Sequence, residues 1–73
     1  EVNIYSVDKT VIVNNFTGQN GEIQVFDFTG RMILNSSIDS GNQHSITLNA
    51  AAGPYVVKVI TAKGVHSLKV VLK

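Results

Sequence analysis

Apolar and polar residues alternate along most of this chain with a period of two, the spacing of a half-buried strand rather than an amphipathic helix. Val, Ile and Thr fill the alternating runs, and Gly, Asn, Asp and Ser cluster between them, as pleated strands joined by turns require. The pattern predicts seven strands: Val2–Ser6, Thr10–Asn15, Glu22–Phe28, Arg31–Ser37, Gln43–Leu48, Tyr55–Ile60 and Val65–Leu72. Short strands recurring about every 8–12 residues predict an antiparallel sandwich. No helix is predicted: Asn49–Ala52 is too short for one, and Gly53-Pro54 stops it.

The segments between the strands read as turns. Val7-Asp8-Lys9 joins the first two, Thr17–Gly21 is a longer loop, and Phe28–Arg31 is a tight hairpin in which Gly30 supplies a positive φ. Asp39–Asn42 and Ala62–Gly64 are two further turns, and Pro54 stands at a strand start, where its missing N–H does least harm. Alternation also assigns faces. Tyr55, Val57 and Val59 share one face of the sixth strand, while Leu68, Val70 and Leu72 point inward from the seventh, with His66 beside them and partly buried. Both faces of the third strand carry apolar residues, so alternation leaves its inward side open. Lys58, Lys69 and Lys73 read as gatekeepers against edge-to-edge aggregation.

At 73 residues the chain is expected to be one domain, with a thin core that buries only about 60% of its unfolded surface. It opens on Glu1-Val2-Asn3-Ile4 without a signal peptide, so the expectation is an excised part of a longer protein. With no cysteine, disulfide staples, thiol catalysis and thiolate metal sites are excluded. The formal net charge is +1 and both signs are dispersed, which argues against nucleic acid as a partner. No apolar run approaches the roughly 20 residues of a membrane helix. His44 and His66 lack partners at metal-ligand spacing, and Asp8 and Asp39 sit in turns. Asp27 precedes a hairpin and pairs with Arg31 across it. No serine lies in a nucleophile elbow and no glycine run forms a phosphate loop. Two short sequons, Asn15-Phe16-Thr17 and Asn35-Ser36-Ser37, carry little weight. No catalytic residue, metal site or cofactor is expected, and the function is expected to be recognition.

Three stretches then line up: "GEIQVFDFTGRMI" (Gly21–Ile33), "GPYVVKV" (Gly53–Val59) and "HSLKVVLK" (His66–Lys73). In this order and spacing the chain resembles the C-terminal sorting domain of the type IX secretion system of Gram-negative bacteria. "VNIYSVDKTVIVNN" (Val2–Asn15) resembles that family's opening strands. The resemblance implies a seven-stranded antiparallel immunoglobulin-like β-sandwich. It also implies a signal that directs N-terminal cargo domains of the same chain across the outer membrane. The route runs through the periplasm to the cell surface or the medium. The partners implied are the translocon and a sortase that, in many cargoes, removes the domain and attaches the cargo to anionic lipopolysaccharide, whereas a few machinery components keep their domain.

The family's turn glycine and arginine fall on Gly30 and Arg31, and its Gly-x-Tyr signature on Gly53 and Tyr55. Its terminal lysine-apolar segment falls on Lys69, Val70, Val71, Leu72 and Lys73, the expected translocon-recognition residues. Where members often carry two adjacent lysines, this chain has Leu68-Lys69, and it lacks their opening Pro-x-Pro stretch. An apolar strand at the end of the sequence fits recognition by strand addition at a free edge. The same strand makes a homodimer, by edge pairing or domain swapping, an expected tendency. Tyr55 is expected in the core, its hydroxyl bonded to a loop carbonyl. Two competing readings are a carbohydrate-binding or adhesive sandwich and a structural spacer. The first wants a row of exposed aromatics, whereas Tyr5, Phe16, Phe26, Phe28 and Tyr55 are scattered and expected to be buried.

Overall fold

The computed structural model of the chain describes residues 2–15, 18–39, 41 and 43–73, and of Asn15 the backbone only. Expectations at Phe16, Thr17, Ser40 and Asn42, including the Asn15-Phe16-Thr17 sequon, lie outside the described residues. Seven strands run β1 (Val2–Val7), β2 (Thr10–Asn15), β3 (Gly21–Asp27), β4 (Met32–Ile38), β5 (Gln43–Thr47), β6 (Gly53–Thr61) and β7 (Gly64–Leu72). Most boundaries match the predicted ones within one residue; β6 starts two residues earlier, at Gly53. That extension takes in Pro54. Opposite β6, β3 stops at Asp27, level with Tyr55, so Pro54 has no ladder partner there to miss its N–H.

Every strand pair is antiparallel, and the strands form two sheets, β1-β2-β5 and β4-β3-β6-β7. The fold is therefore an all-β sandwich. In constant-type immunoglobulin domains the fourth strand joins the sheet of the first two; here β4 lies beside β3 in the other sheet. Two-residue turns close β1–β2 and β6–β7. Asp8 turns the first with a φ of 53°, a left-handed conformation that aspartate tolerates better than most residues.

The core lies between the inner faces: Val11 and Val13 of β2, Ile23 and Val25 of β3, Ile38 of β4, Tyr55, Val57 and Val59 of β6, Val70 and Leu72 of β7, and Leu48 beyond β5. Each fully buried Val or Ile contributes about 1.5–3 kcal/mol. This settles the inward side of β3 in favour of Ile23 and Val25, leaving Phe26 and Gln24 on the outer face. A bulge between Val25 and Phe26 shifts the β3–β4 register. Both Ile33 and Leu34 then pack against the core, and Met32 stands opposite Phe26.

Three expectations are corrected. Leu68 alternates with Val70 and Leu72 yet is 46% exposed, and His66 is exposed as well. The cause is the seam between β1 and β7, the edge strands of the two sheets. One end is closed by Ser6 Oγ donating to the Val71 carbonyl (3.3 Å) and the Lys73 amide donating to the Asp8 carbonyl (3.2 Å). At the other end a gap of about 440 Å³ opens among Val2, Ile4, His66 and Leu68. The aromatics are not all buried either: Phe28 is 79% and Tyr5 44% exposed.

Candidate functional site

The β3–β4 turn is built around one carboxylate. Asp27 Oδ1 accepts from the Thr29 amide (3.0 Å), the Thr29 hydroxyl (2.6 Å) and the Arg31 amide (3.0 Å). The Gly30 amide donates to the Asp27 carbonyl and the Asp27 amide to the Arg31 carbonyl, at 3.0 and 2.9 Å. Gly30 closes the turn with a φ of 90°, which glycine adopts without the Cβ clash other residues meet. The Thr29 hydroxyl, followed by the Arg31 amide, holds the Asp27 carboxyl below the usual carboxylate range. Arg31 Nε stands 3.3 Å from Asp27 Oδ2, the pair expected across the hairpin. Its arginine side chain is 78% exposed, so solvent screens the attraction. The contact chiefly fixes the direction in which the guanidinium points.

The second motif holds a loop. Tyr55 is 7% exposed, and its hydroxyl donates to the Ala51 carbonyl at 2.7 Å. The β5–β6 connection is tied twice more, by the Leu48 amide to the Lys9 carbonyl (2.8 Å) and by Lys9 Nζ to the Ala50 carbonyl (2.5 Å). Gly53 leaves this loop with a φ of 144°, outside the range that L-residues readily occupy.

The third motif runs alongside the second. Tyr55 pairs with Val70, Gly53 with Leu72 and Val56 with Lys69, while Asp27 pairs with Tyr55 from the other side. Gly30 and Arg31, Gly53 and Tyr55, and Lys69–Lys73 therefore meet at one end of the four-stranded sheet, although some 40 positions separate the first pair from the last segment. Within Lys69–Lys73, Val70 and Leu72 are buried in the core, and Lys69, Val71 and Lys73 are exposed.

The β7 edge is open over part of its length. The Val71 carbonyl and Lys73 amide point toward β1, as their bonds to Ser6 and Asp8 require. Backbone groups alternate sides along a strand, so those of Val65, Ser67 and Lys69 also face away from β6. Among the described strands none pairs with them.

An open groove of about 540 Å³ lies beside the motif end, bordered by Asp27, Phe28, Arg31, Ala50, Pro54 and Tyr55. Asp27 is its sole carboxylate among the described residues, and the turn already occupies it. His44 Nε2 lies 3.1 Å from the Asp39 amide, which donates to it. No group of three His, Asp or Glu residues among those described could hold a metal ion. The exposed Tyr5 stands on β1 of the three-stranded sheet and the exposed Phe28 in the β3–β4 turn, so these two form no aromatic row. Sequence reasoning missed Thr29, Lys9 and Ser6. The Asp-x-Thr-Gly spacing carries an Asx-turn signal for Thr29; nothing local marks Lys9 or Ser6, whose partners lie 41 and 65 positions away.

Fold and site together define a small β-sandwich whose distinctive residues are turn-forming, loop-tying or strand-edge groups. The sequence profile of the secretion system C-terminal sorting domain matches residues 2–73, and the chain belongs to that family, the type IX secretion sorting domains. No curated protein matches the chain. The family is a sorting signal rather than a catalytic domain, directing its carriers to the outer membrane and to the cell surface or medium of Gram-negative bacteria.

Proposed function

We propose that the domain is a non-catalytic signal recognised in its folded state, through the end of the four-stranded sheet where the three motifs meet. The observation that carries this reading is that convergence: the Asp27–Arg31 turn, the Gly53–Tyr55 strand start and Lys69–Lys73 share one end. Val70 and Leu72 hold β7 in place from the core side, and Lys69, Val71 and Lys73 are offered outward. From this end the β7 edge runs back along Lys69, Ser67 and Val65 toward the far end of the sheet, and a receptor strand that reaches the motif end adds to that open stretch, where backbone donors and acceptors await a partner.

On this reading the 73 residues are one module of a longer protein, and N-terminal cargo crosses the periplasm ahead of it. The translocon passes the cargo outward, and a sortase then removes the domain and joins the cargo to anionic lipopolysaccharide. A chain without cysteine is compatible with an oxidising periplasm, since no wrong disulfide to cargo can form there. The test is a fusion of Glu1–Lys73 to the C-terminus of a periplasmic fluorescent protein. It is expressed in a bacterium with a working type IX system and in a matched strain lacking the translocon. Translocon-dependent appearance at the surface or in the medium is expected; a folded fusion retained equally in both strains overturns the reading.

A further inference from the structure

The outer face of the four-stranded sheet carries a strip that strand addition does not use. Register places Met32, Phe26, Val56 and Lys69 in one cross-strand row. Phe26 and Val56 are half-buried and Met32 is exposed. Val71, opposite Pro54, and Phe28 continue the apolar surface toward the motif end, both exposed. Phe28, Pro54, Val56 and Lys69 border a depression of about 240 Å³. Scattered apolar residues on a surface are ordinary; a contiguous set around a concavity marks an interaction site.

The charge on the strip has one sign. Lys69 ends the apolar row, and Lys58 lies in the next row, opposite Gln24 and Ser67. Phe26 and Glu22 flank Gln24 on this face. The Lys58 ammonium stands 5.2 Å from the centroid of the Phe26 ring, so it leans toward the strip and away from Glu22. The Asp27 carboxylate, nearest in sequence, is consumed by its turn.

We propose that this strip is a second docking surface, for an acidic protein segment that seats an apolar or aromatic side chain in the depression and sets carboxylates against Lys58 and Lys69. The proposal rests on the sorting reading and adds a face to the edge. A second copy of the domain is disfavoured, because face-to-face pairing opposes lysine to lysine. An anionic bilayer is disfavoured too: two lysines and a concave apolar surface give neither of the two strong signals that stable anchoring needs.

The test measures binding of the 73-residue domain to outer-membrane preparations from matched strains with and without the type IX translocon, and to phosphatidylcholine–phosphatidylglycerol vesicles. Phe28→Ala, Lys69→Glu and Lys69→Arg are compared with Asn3→Ala, an exposed position on the other sheet. Melting curves verify that each variant folds, and sedimentation reports self-association. Expected is binding only where the translocon is present, weakened about tenfold by Phe28→Ala and by Lys69→Glu, as for an anchor residue. Asn3→Ala binds as the parent does, and Lys69→Arg, which keeps the charge, recovers most of the binding that Lys69→Glu loses. Translocon-dependent binding that both Phe28→Ala and Lys69→Glu leave intact overturns the strip while the sorting reading stands. Equal binding to both membranes and to vesicles, or loss of signal into dimers, overturns the proposed occupant. Absence of binding to either membrane overturns the sorting reading itself.

Discussion

Replacing Tyr55 by Phe separates a structural tyrosine from one that a receptor touches. The change keeps the buried ring and removes one hydrogen bond, the 2.7 Å contact to the Ala51 carbonyl. Ala51 is exposed, so water takes over its carbonyl and no buried acceptor is stranded. The cost is then the net value of one hydrogen bond, about 1 kcal/mol. In a domain of this size that lowers the melting temperature by about 4–8 °C. Tyr55→Ala, by contrast, empties a core site at about 3–5 kcal/mol. That rivals the entire stability of such a chain, about 4–11 kcal/mol at 0.05–0.15 kcal/mol per residue. Circular dichroism melts of both variants, beside secretion of the matching reporter fusions, make the assay. Tyr55→Phe is expected to melt a few degrees lower and be exported, whereas Tyr55→Ala loses fold and export together. A Tyr55→Phe domain that melts like the parent but is not exported refutes the structural role and assigns the hydroxyl to a receptor contact.

Three further perturbations probe the frame around the site. A Cβ at Gly21 collides with the Ile60 carbonyl and the Thr61 side chain, so Gly21→Ala should cost about 1–3 kcal/mol in a denaturant titration, although the φ there is unremarkable. Leu72→Ala should cost about 2–5 kcal/mol, and Leu68→Ala, four positions earlier on the same face, within about 0.5 kcal/mol; equal losses would contradict the open β1–β7 seam. The Asp27 carboxyl is held low chiefly by Thr29 and then Arg31. Its contribution is therefore present above the unfolded aspartate pKa and lost as pH falls through the lower folded value. An NMR titration should give Asp27 a midpoint below that of an unstructured aspartate, with the Thr29 and Arg31 amides shifting at the same pH, and Asp27→Asn should abolish that step.

The strands were legible because each is a short period-two run set off by turn residues, and in a two-layer sandwich each strand turns one face to the core. β3 resisted because Phe26 and Phe28 are as apolar as Ile23 and Val25; the bulge and the exposed outer face resolve it, and neither leaves a local signal. Leu68 and His66 were misread for a different reason. Alternation gives the direction of a side chain but not whether the opposite sheet reaches it, and the three-stranded sheet does not. In the site, Asp27 with Arg31 and Tyr55 with its loop carbonyl followed from turn chemistry and from a buried hydroxyl's need for a partner. That three motifs share one end of one sheet is a consequence of strand order, which periodicity alone does not contain.

The most direct measurement is export of the reporter fusion carrying Ser67→Pro, beside Ser67→Ala. The Ser67 amide faces away from β6 on the open edge, where proline removes no ladder bond of the domain but blocks an incoming strand. Strand addition predicts that Ser67→Ala is exported like the parent, whereas Ser67→Pro folds, melts within a few degrees of it and stays inside. A folded Ser67→Pro fusion exported at the parental level would contradict recognition through the β7 edge.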